Sequence, residues 1–463
     1  MTMNSKKTPN PTDPFQPVTP DGGKKNAEHT AKVEWVAWQL RHRKSTAPLS
    51  RKKRTVSHQV PKVNDKKYSD EKIDMIDFDE VIEVDPVRRI CIAEPGVPFC
   101  KVVEKTLPLV FVPIVVPELK TITIGGAVAG CSIESMSFMY GGFHDTCLEY
   151  EIITANGDVL TCTPDNEHSL LFQMMHGSFG TVGILSRLVF KLIPAKPYVH
   201  LRHEKHTSID SYLESIWYHF ENRDVEFMDG LIHSLDHLTL CVGEFVDSAP
   251  YTNRYDWWKI YYQSTAERTE DYFKTPHYFY RYDQGVTNVH PKSFLARLLL
   301  GKLLGSSEIL RLAEKLRWLL LDDKRPDVTV DTFLPFSRLK EFLIWYGEDF
   351  GHFPLWVVPY RRVHDYEWLT DDFWKGFSDE LMVDIAIYGM KQRGDTNYYR
   401  LMEEKLMELN GIKTLISYNY YSEDEFWSIF NRKNFDQVKA LTDPNNIFRN
   451  LYEKSCRASM GQD

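Results

Sequence analysis

The chain has 463 residues, more than one hydrophobic core usually holds, so its size predicts two domains. A formal net charge of −9 argues against the basic footprint of a nucleic-acid-binding protein. With 43% hydrophobic and 26% charged residues the composition is that of an ordinary globular protein, while 13% aromatic residues suit a large apolar cleft.

Residues 1–30 hold Pro9, Pro11, Pro14, Pro17 and Pro20 and almost no apolar residues, and are expected to form a disordered tail. They lack the apolar stretch of a signal peptide. No uncharged apolar run of about 18 residues occurs, so no transmembrane helix is predicted. A helix is expected at Ala31–His42. The short basic run Arg51–Arg54 reads as a solvated loop. Strands are predicted at Thr55–Val60 and Ile90–Glu94, with a helix at Phe99–Thr106 between the second strand and the apolar run Leu107–Leu119.

The segment Thr123–Ser135 places Gly125, Gly126 and Gly130 among small residues. Glycine serves where the backbone takes positive φ or approaches a ligand closely, and successive backbone N–H groups make an anion-binding concavity. The spacing G-G-x-x-x-G is neither the dinucleotide fingerprint nor a P-loop. Read alone, the segment is either a turn or the wall of a phosphate-bearing cofactor site.

Next come strands Leu148–Thr154 and Val159–Cys162 around Asn156-Gly157, a type I′ hairpin signal. A helix at Ser169–His176 leads into the glycine-rich Gly177–Gly183, and a strand at Ile184–Leu192 follows. Beyond about 198 the predicted elements are a helix at Thr207–Glu221, two strands within Leu231–Val246, and strands at Val328–Phe333, Leu355–Tyr360 and Asp384–Met390. A helix at Asn397–Asn410, a strand at Thr414–Tyr420 and a helix at Glu423–Phe430 end the series. Between them, Pro291–Leu321 is rich in Leu and basic residues, a composition shared by core helices and by helices lying in a membrane interface. The odd number of cysteines, none in C-x-x-C, reads as a reducing, cytoplasmic setting. With no H-E-x-x-H and no zinc-type Cys/His spacing, no metal site is expected.

The glycine segment, the Asn156-Gly157 hairpin, the helix after it and Gly180-Thr181-Val182-Gly183-Ile184 come in an order that resembles the FAD-binding domain of the vanillyl-alcohol oxidase (PCMH) type. Asp443-Pro444 with Phe448 resembles that family's D-P-x-x-x-F ending. Pro117-Glu118-Leu119, Ile133-Glu134-Ser135, Met139-Tyr140-Gly141 (where the pattern has K-Y-G), Ile193-Pro194-Ala195-Lys196 and Glu425-Phe426-Trp427 resemble the Δ24-sterol reductases within it.

The resemblance implies an α+β fold: a two-subdomain FAD-binding domain over 31–197, an α+β substrate or cap domain over 198–410, and a C-terminal segment, 411–463, returning to the FAD domain. The R-x-x-G-H-S-like loop of many members has only Ser57-His58-Gln59 as its nearest match, which implies non-covalent FAD. The expected FAD-binding residues are Thr123, Ile124, Gly125, Gly126, Gly130, Ser132, Ile133, Glu134, Ser135, His144, Gly180, Gly183 and Ile184. The implied activity is reduction of an isolated C=C bond in a sterol- or isoprenoid-like lipid with NADPH as hydride source. Lys391, Tyr388, Tyr280 and Tyr418 are candidate proton donors. A small hydrophobic substrate is the expected partner, with peripheral membrane contact through 291–321. Two alternatives stay open: a flavin-linked oxidase or dehydrogenase of an alcohol, sugar or lactone, and a membrane-associated binder that has lost its flavin.

Overall fold

The computed structural model describes residues 20–55, 59–60, 62, 65–255, 260–283, 327–375 and 379–462. Among these, two large sheets define an α+β architecture. The first sheet has the strand order Val81–Asp85, Ile90–Ala93, Ile184–Pro194, Cys147–Ile153, Val159–Cys162, with Phe111–Pro113 paired to the far end of Ile184–Pro194. Its neighbouring strands all run antiparallel.

The second sheet has eight strands in the order Glu270–Lys274, Tyr198–His206, His237–Val246, Phe227–Ser234, Leu355–Arg361, Leu381–Met390, Val328–Pro335, Ile412–Lys413. The chain passes from one sheet to the other over three residues, Ala195 to Pro197. The two sheets share one apolar cluster, in which Tyr150 and Phe190 of the first join Phe227 and Phe273 of the second. The last fifty residues touch both halves. Ile412 and Lys413 pair with Phe333 and Thr332, whereas the carbonyls of Thr442 and Ile447 accept from the amides of Ala155 and Leu49.

Several elements depart from the sequence reading. The first helix spans Pro20–Arg41, so it begins inside the tail expected to be disordered. Tertiary contacts outweigh its glycines: His29 is buried between Glu94 and Glu151, and Lys32 pairs with Glu94. Residues 56–58 of the strand expected at Thr55–Val60 lie outside the described residues, and the strand found nearby is Leu49–Lys52, parallel to Glu71–Asp74. The Asn156-Gly157 loop is a type I turn with a bulge, because Gly157 donates to the Thr154 carbonyl and only Gly157 has positive φ. Gly180–Gly183 is a turn. Phe179, Gly180 and Gly183 all have positive φ, which a strand does not tolerate. Thr414–Tyr420 is irregular: the Asn419 backbone amide donates to the Ser459 hydroxyl and the Ser417 carbonyl accepts from the Asn419 side chain, so side chains take backbone groups a ladder would use. Pro291–Leu321 lies outside the described residues.

Candidate FAD and substrate site

Thr123–Ser135 folds as a seven-residue helix, Ile124–Gly130, capped by Thr123, whose side chain accepts from the Gly126 amide. The Gly125 amide donates to Pro95, and a Cβ there would stand 2.5 Å from the Pro95 Cβ. Gly125 is therefore required by close backbone packing. Gly126, Ala129 and Gly130 form the more open face, and a Cβ at Gly130 would meet only Phe179, at 4.0 Å. The Ser132 amide donates to Ala127 and the Ser135 hydroxyl pairs with that of Tyr278. The amides of Gly125 and Gly126 and the Ser135 hydroxyl, expected to face a diphosphate, thus have partners inside the protein.

Beyond this helix lies a cavity, partly open to solvent, lined mainly by apolar and aromatic side chains. The first half contributes Gly130, Cys131, Ile133, His144, Gly177 and Phe179. The second sheet supplies Phe333, Tyr360 and Met382, the loop after it Arg362, Tyr366, Trp368 and Trp374, and the C-terminal segment Ile412–Leu415 and Phe430. Asp145 joins the two halves at its edge. It accepts from the Gly142 amide at 2.7 Å and from Tyr366 at 3.1 Å, and His364 lies 3.6 Å away. Burial lowers the His364 pKa, but the bond to Asp145 reverses that and leaves it above the ordinary histidine value.

His144, on the cavity wall, is buried, and neither ring nitrogen has a hydrogen-bond partner. Burial keeps its pKa low, with Asp145 opposing that shift, so the ring is neutral. The indole N–H of Trp368 is likewise buried without a partner. A flat aromatic ring with a polar edge fits such walls: aromatic faces for its surface, His144 and Trp368 for its hydrogen-bonding rim.

The remaining expected site residues are placed elsewhere. Glu134 faces away from the cavity and pairs with Arg281 at 3.1 Å, and Arg281 also meets Asp229 at 3.0 Å. Tyr282 and Trp356 donate to the same Asp229 carboxylate. Glu134 is thus a strut between the two halves. Thr123 and Ile124 serve the cap and the core, and Ile184 packs beneath the first helix. A side chain at Gly180 would overlap the Arg51 guanidinium, and one at Gly183 would press on Ile152.

Of the proton-donor candidates, Lys391 is on the surface, its ammonium 2.5 Å from Asp327 with 83% of the side chain exposed. Tyr280 faces Cys100 and Asp283, and Tyr418 packs against Tyr399 in the second core. Tyr388 donates to Asp331 at 3.0 Å and is not on the cavity wall.

Sequence reasoning missed one row of acids. Asp384 stands directly opposite Phe333 in the sheet register, and Asp331 opposite Ala386. Asp384 is buried with Oδ1 lacking a partner. Burial, then the charges of Asp331 and Glu118, raise its pKa well above the carboxylate range. Burial pushes Asp331 up to about 6 and Glu118 up to about 8. The two-residue spacing of Asp331 and Phe333 puts both on one face. No local pattern signals this row, because its members come from two strands and a loop far apart in sequence.

Residues 54–163 match a family model described as an FAD binding domain. The chain is an FAD-dependent oxidoreductase that carries an FAD-binding domain over these residues. It is 27% identical over 413 residues to the Delta(24)-sterol reductase of Homo sapiens, covering 83% of this chain and 78% of that protein. The Delta(24)-sterol reductase of Arabidopsis thaliana is 23% identical over 482 residues, covering 93% and 85%. A shorter likeness, 33% over 92 residues, joins the chain to cytokinin dehydrogenase 3 of Arabidopsis thaliana.

Proposed function

We propose that the protein reduces an isolated C=C bond in a sterol- or isoprenoid-like lipid, with NADPH as the hydride source. The observation that carries this reading is the aromatic and aliphatic cavity beside the glycine helix. An alkene in a hydrocarbon side chain offers no polar handle, so its binding relies on apolar walls of this kind. The likeness to Delta(24)-sterol reductases across most of the chain supports the same reaction.

Bound FAD supplies the hydride-transfer chemistry. The protein's tasks are to hold the alkene in a dry cavity and to deliver a proton to the second carbon. Asp384 is the group proposed to hold that proton: it is buried, kept protonated, and adjacent to the wall residue Phe333. Asp331 with Tyr388 lies behind it and is proposed to resupply the proton from the Glu118 side. His144 and Trp368 orient the flat ring, and Tyr360, Tyr366 and Trp374 exclude water.

The test is anaerobic. The purified protein is reconstituted with FAD, titrated with NADPH, and then given a sterol with a side-chain double bond. Bleaching of the flavin band by NADPH, followed by recovery when the sterol is added, is the expected result. Flavin that ignores NADPH but bleaches with an alcohol, sugar or lactone would replace this reading with the oxidase or dehydrogenase alternative. A protein that takes up no FAD would end both.

A further inference from the structure

A group of cations lies behind Phe179, with Lys62 buried and Arg51 and Lys454 half-buried. Arg51 donates from Nη1 to the Gly183 carbonyl at 3.0 Å and from Nη2 to the Phe179 carbonyl at 3.4 Å. Lys454, from the C-terminal segment, donates to the same Phe179 carbonyl at 2.6 Å. Lys62 is buried, and both it and Lys454 feel the charges of Lys67 and Asp65. Gly180 lacks a side chain where the Arg51 guanidinium lies.

Among the described residues no carboxylate lies within ion-pair distance of Arg51, Lys62 or Lys454. The nearby Asp65 is 3.1 Å from Lys67. Burial lowers Lys62 to about 8 and Arg51 to about 10, and it pulls Lys454 well below the lysine range, with Arg51 adding to the effect. Carbonyl dipoles ease such a cluster only in part, and gathering cations away from water without an opposite partner is costly. The arrangement asks for an anion.

Two further facts say which anion. The Phe179 side chain lines the aromatic cavity while its carbonyl receives both cations. The amides of Gly125 and Gly126 already have internal partners. We infer that Arg51 and Lys454, with Lys62 beside them, hold the diphosphate of FAD. This inference rests on the flavoprotein reading. FAD and a nicotinamide dinucleotide share the diphosphate group, so the experiment separates them.

Apoprotein is titrated with FAD and with riboflavin, which has the ring but no phosphate, in wild type, Arg51→Met, Lys454→Met, Lys454→Arg and the surface control Lys196→Met. Either Met variant at the cluster is expected to raise the Kd for FAD at least about tenfold and to move that for riboflavin less than about twofold. Lys454→Arg and Lys196→Met should stay near wild type. Apoprotein melting is the second readout: removing a cation repelled by its neighbours should not lower it, whereas removing a purely structural one would. Inorganic pyrophosphate should protect wild-type apoprotein against melting more than Lys454→Met. Equal weakening of FAD and riboflavin, an unchanged FAD affinity, or a loss confined to NADPH binding by the FAD-loaded protein would each overturn the assignment.

Discussion

Arg281 shows how one residue can hold two halves of a molecule together. Its guanidinium is fully buried between Glu134 of the first half and Asp229 of the second, and stacks on Tyr278 with 4.2 Å from Cζ to the ring centroid. Breaking a buried ion network from one side leaves charges without partners and costs about 3–5 kcal/mol. Arg281→Met should therefore lower the unfolding free energy by about that amount in denaturant titrations, and adding Glu134→Gln should return part of it. At Asp384 the prediction concerns pH. A carboxyl group acting as an acid works only while protonated, so turnover should fall as pH rises through its raised pKa. Asp384→Asn should lose that limb and about a hundredfold or more in turnover, with NADPH reduction of the flavin unchanged. Asp331→Asn, one step further from Phe333, should shift the limb without abolishing it.

Two helices carry consequences of their own. In Ile124–Gly130 the glycines divide by task. Gly125→Ala drives a methyl into the Pro95 backbone and should cost about 1–3 kcal/mol, whereas Gly130→Ala has room and should leave melting within about 1 °C while narrowing the cavity. The helix Pro20–Arg41 is fastened by His29 between two carboxylates. Burial alone would lower the His29 pKa, yet the bonds to Glu151 and Glu94 leave it raised. A raised folded-state pKa means this stabilisation is complete below the unfolded histidine value and is lost as pH rises through the higher folded one. Between about pH 6 and about pH 8.5 the wild-type melting temperature should fall more than that of His29→Gln.

On the scale of the whole molecule, the halves meet in a shared core around a cavity with walls from both, so a ligand of the folded state should stabilise the entire chain. At a free FAD concentration of about a hundred times Kd the expected gain is about 2.7 kcal/mol, read as a concentration-dependent rise in melting temperature. This joint construction also explains what could be read in the sequence. Phe99–Thr106, the hairpin and Glu423–Ile429, with its Ser422/Glu425 capping box, carry their signals locally and were legible. The glycine segment correctly marked the flavin half, although its helix and the internal partners of its amides depend on Pro95 and Tyr278, which the local pattern does not reveal. Glu134 adjoins the glycines in sequence and so reads as a ligand, yet its partner Arg281 belongs to the other half. Arg51 sits in a run that reads as a solvated loop, and only the turn at Gly180 shows where its guanidinium is held.

The C-terminal return has a consequence for the order of assembly. Ile412–Leu415 and Phe430 finish the cavity wall, and Lys454 meets the Phe179 carbonyl, yet all of them are synthesised last. As the chain grows from its N-terminus, the early sheet must wait for a partner several hundred residues behind it, a long-range closure of the kind that slows folding. With the cofactor site proposed above, cofactor capture belongs to the final stage of biogenesis, and until then the nascent protein presents the inner surface of an unfinished cavity to the cell.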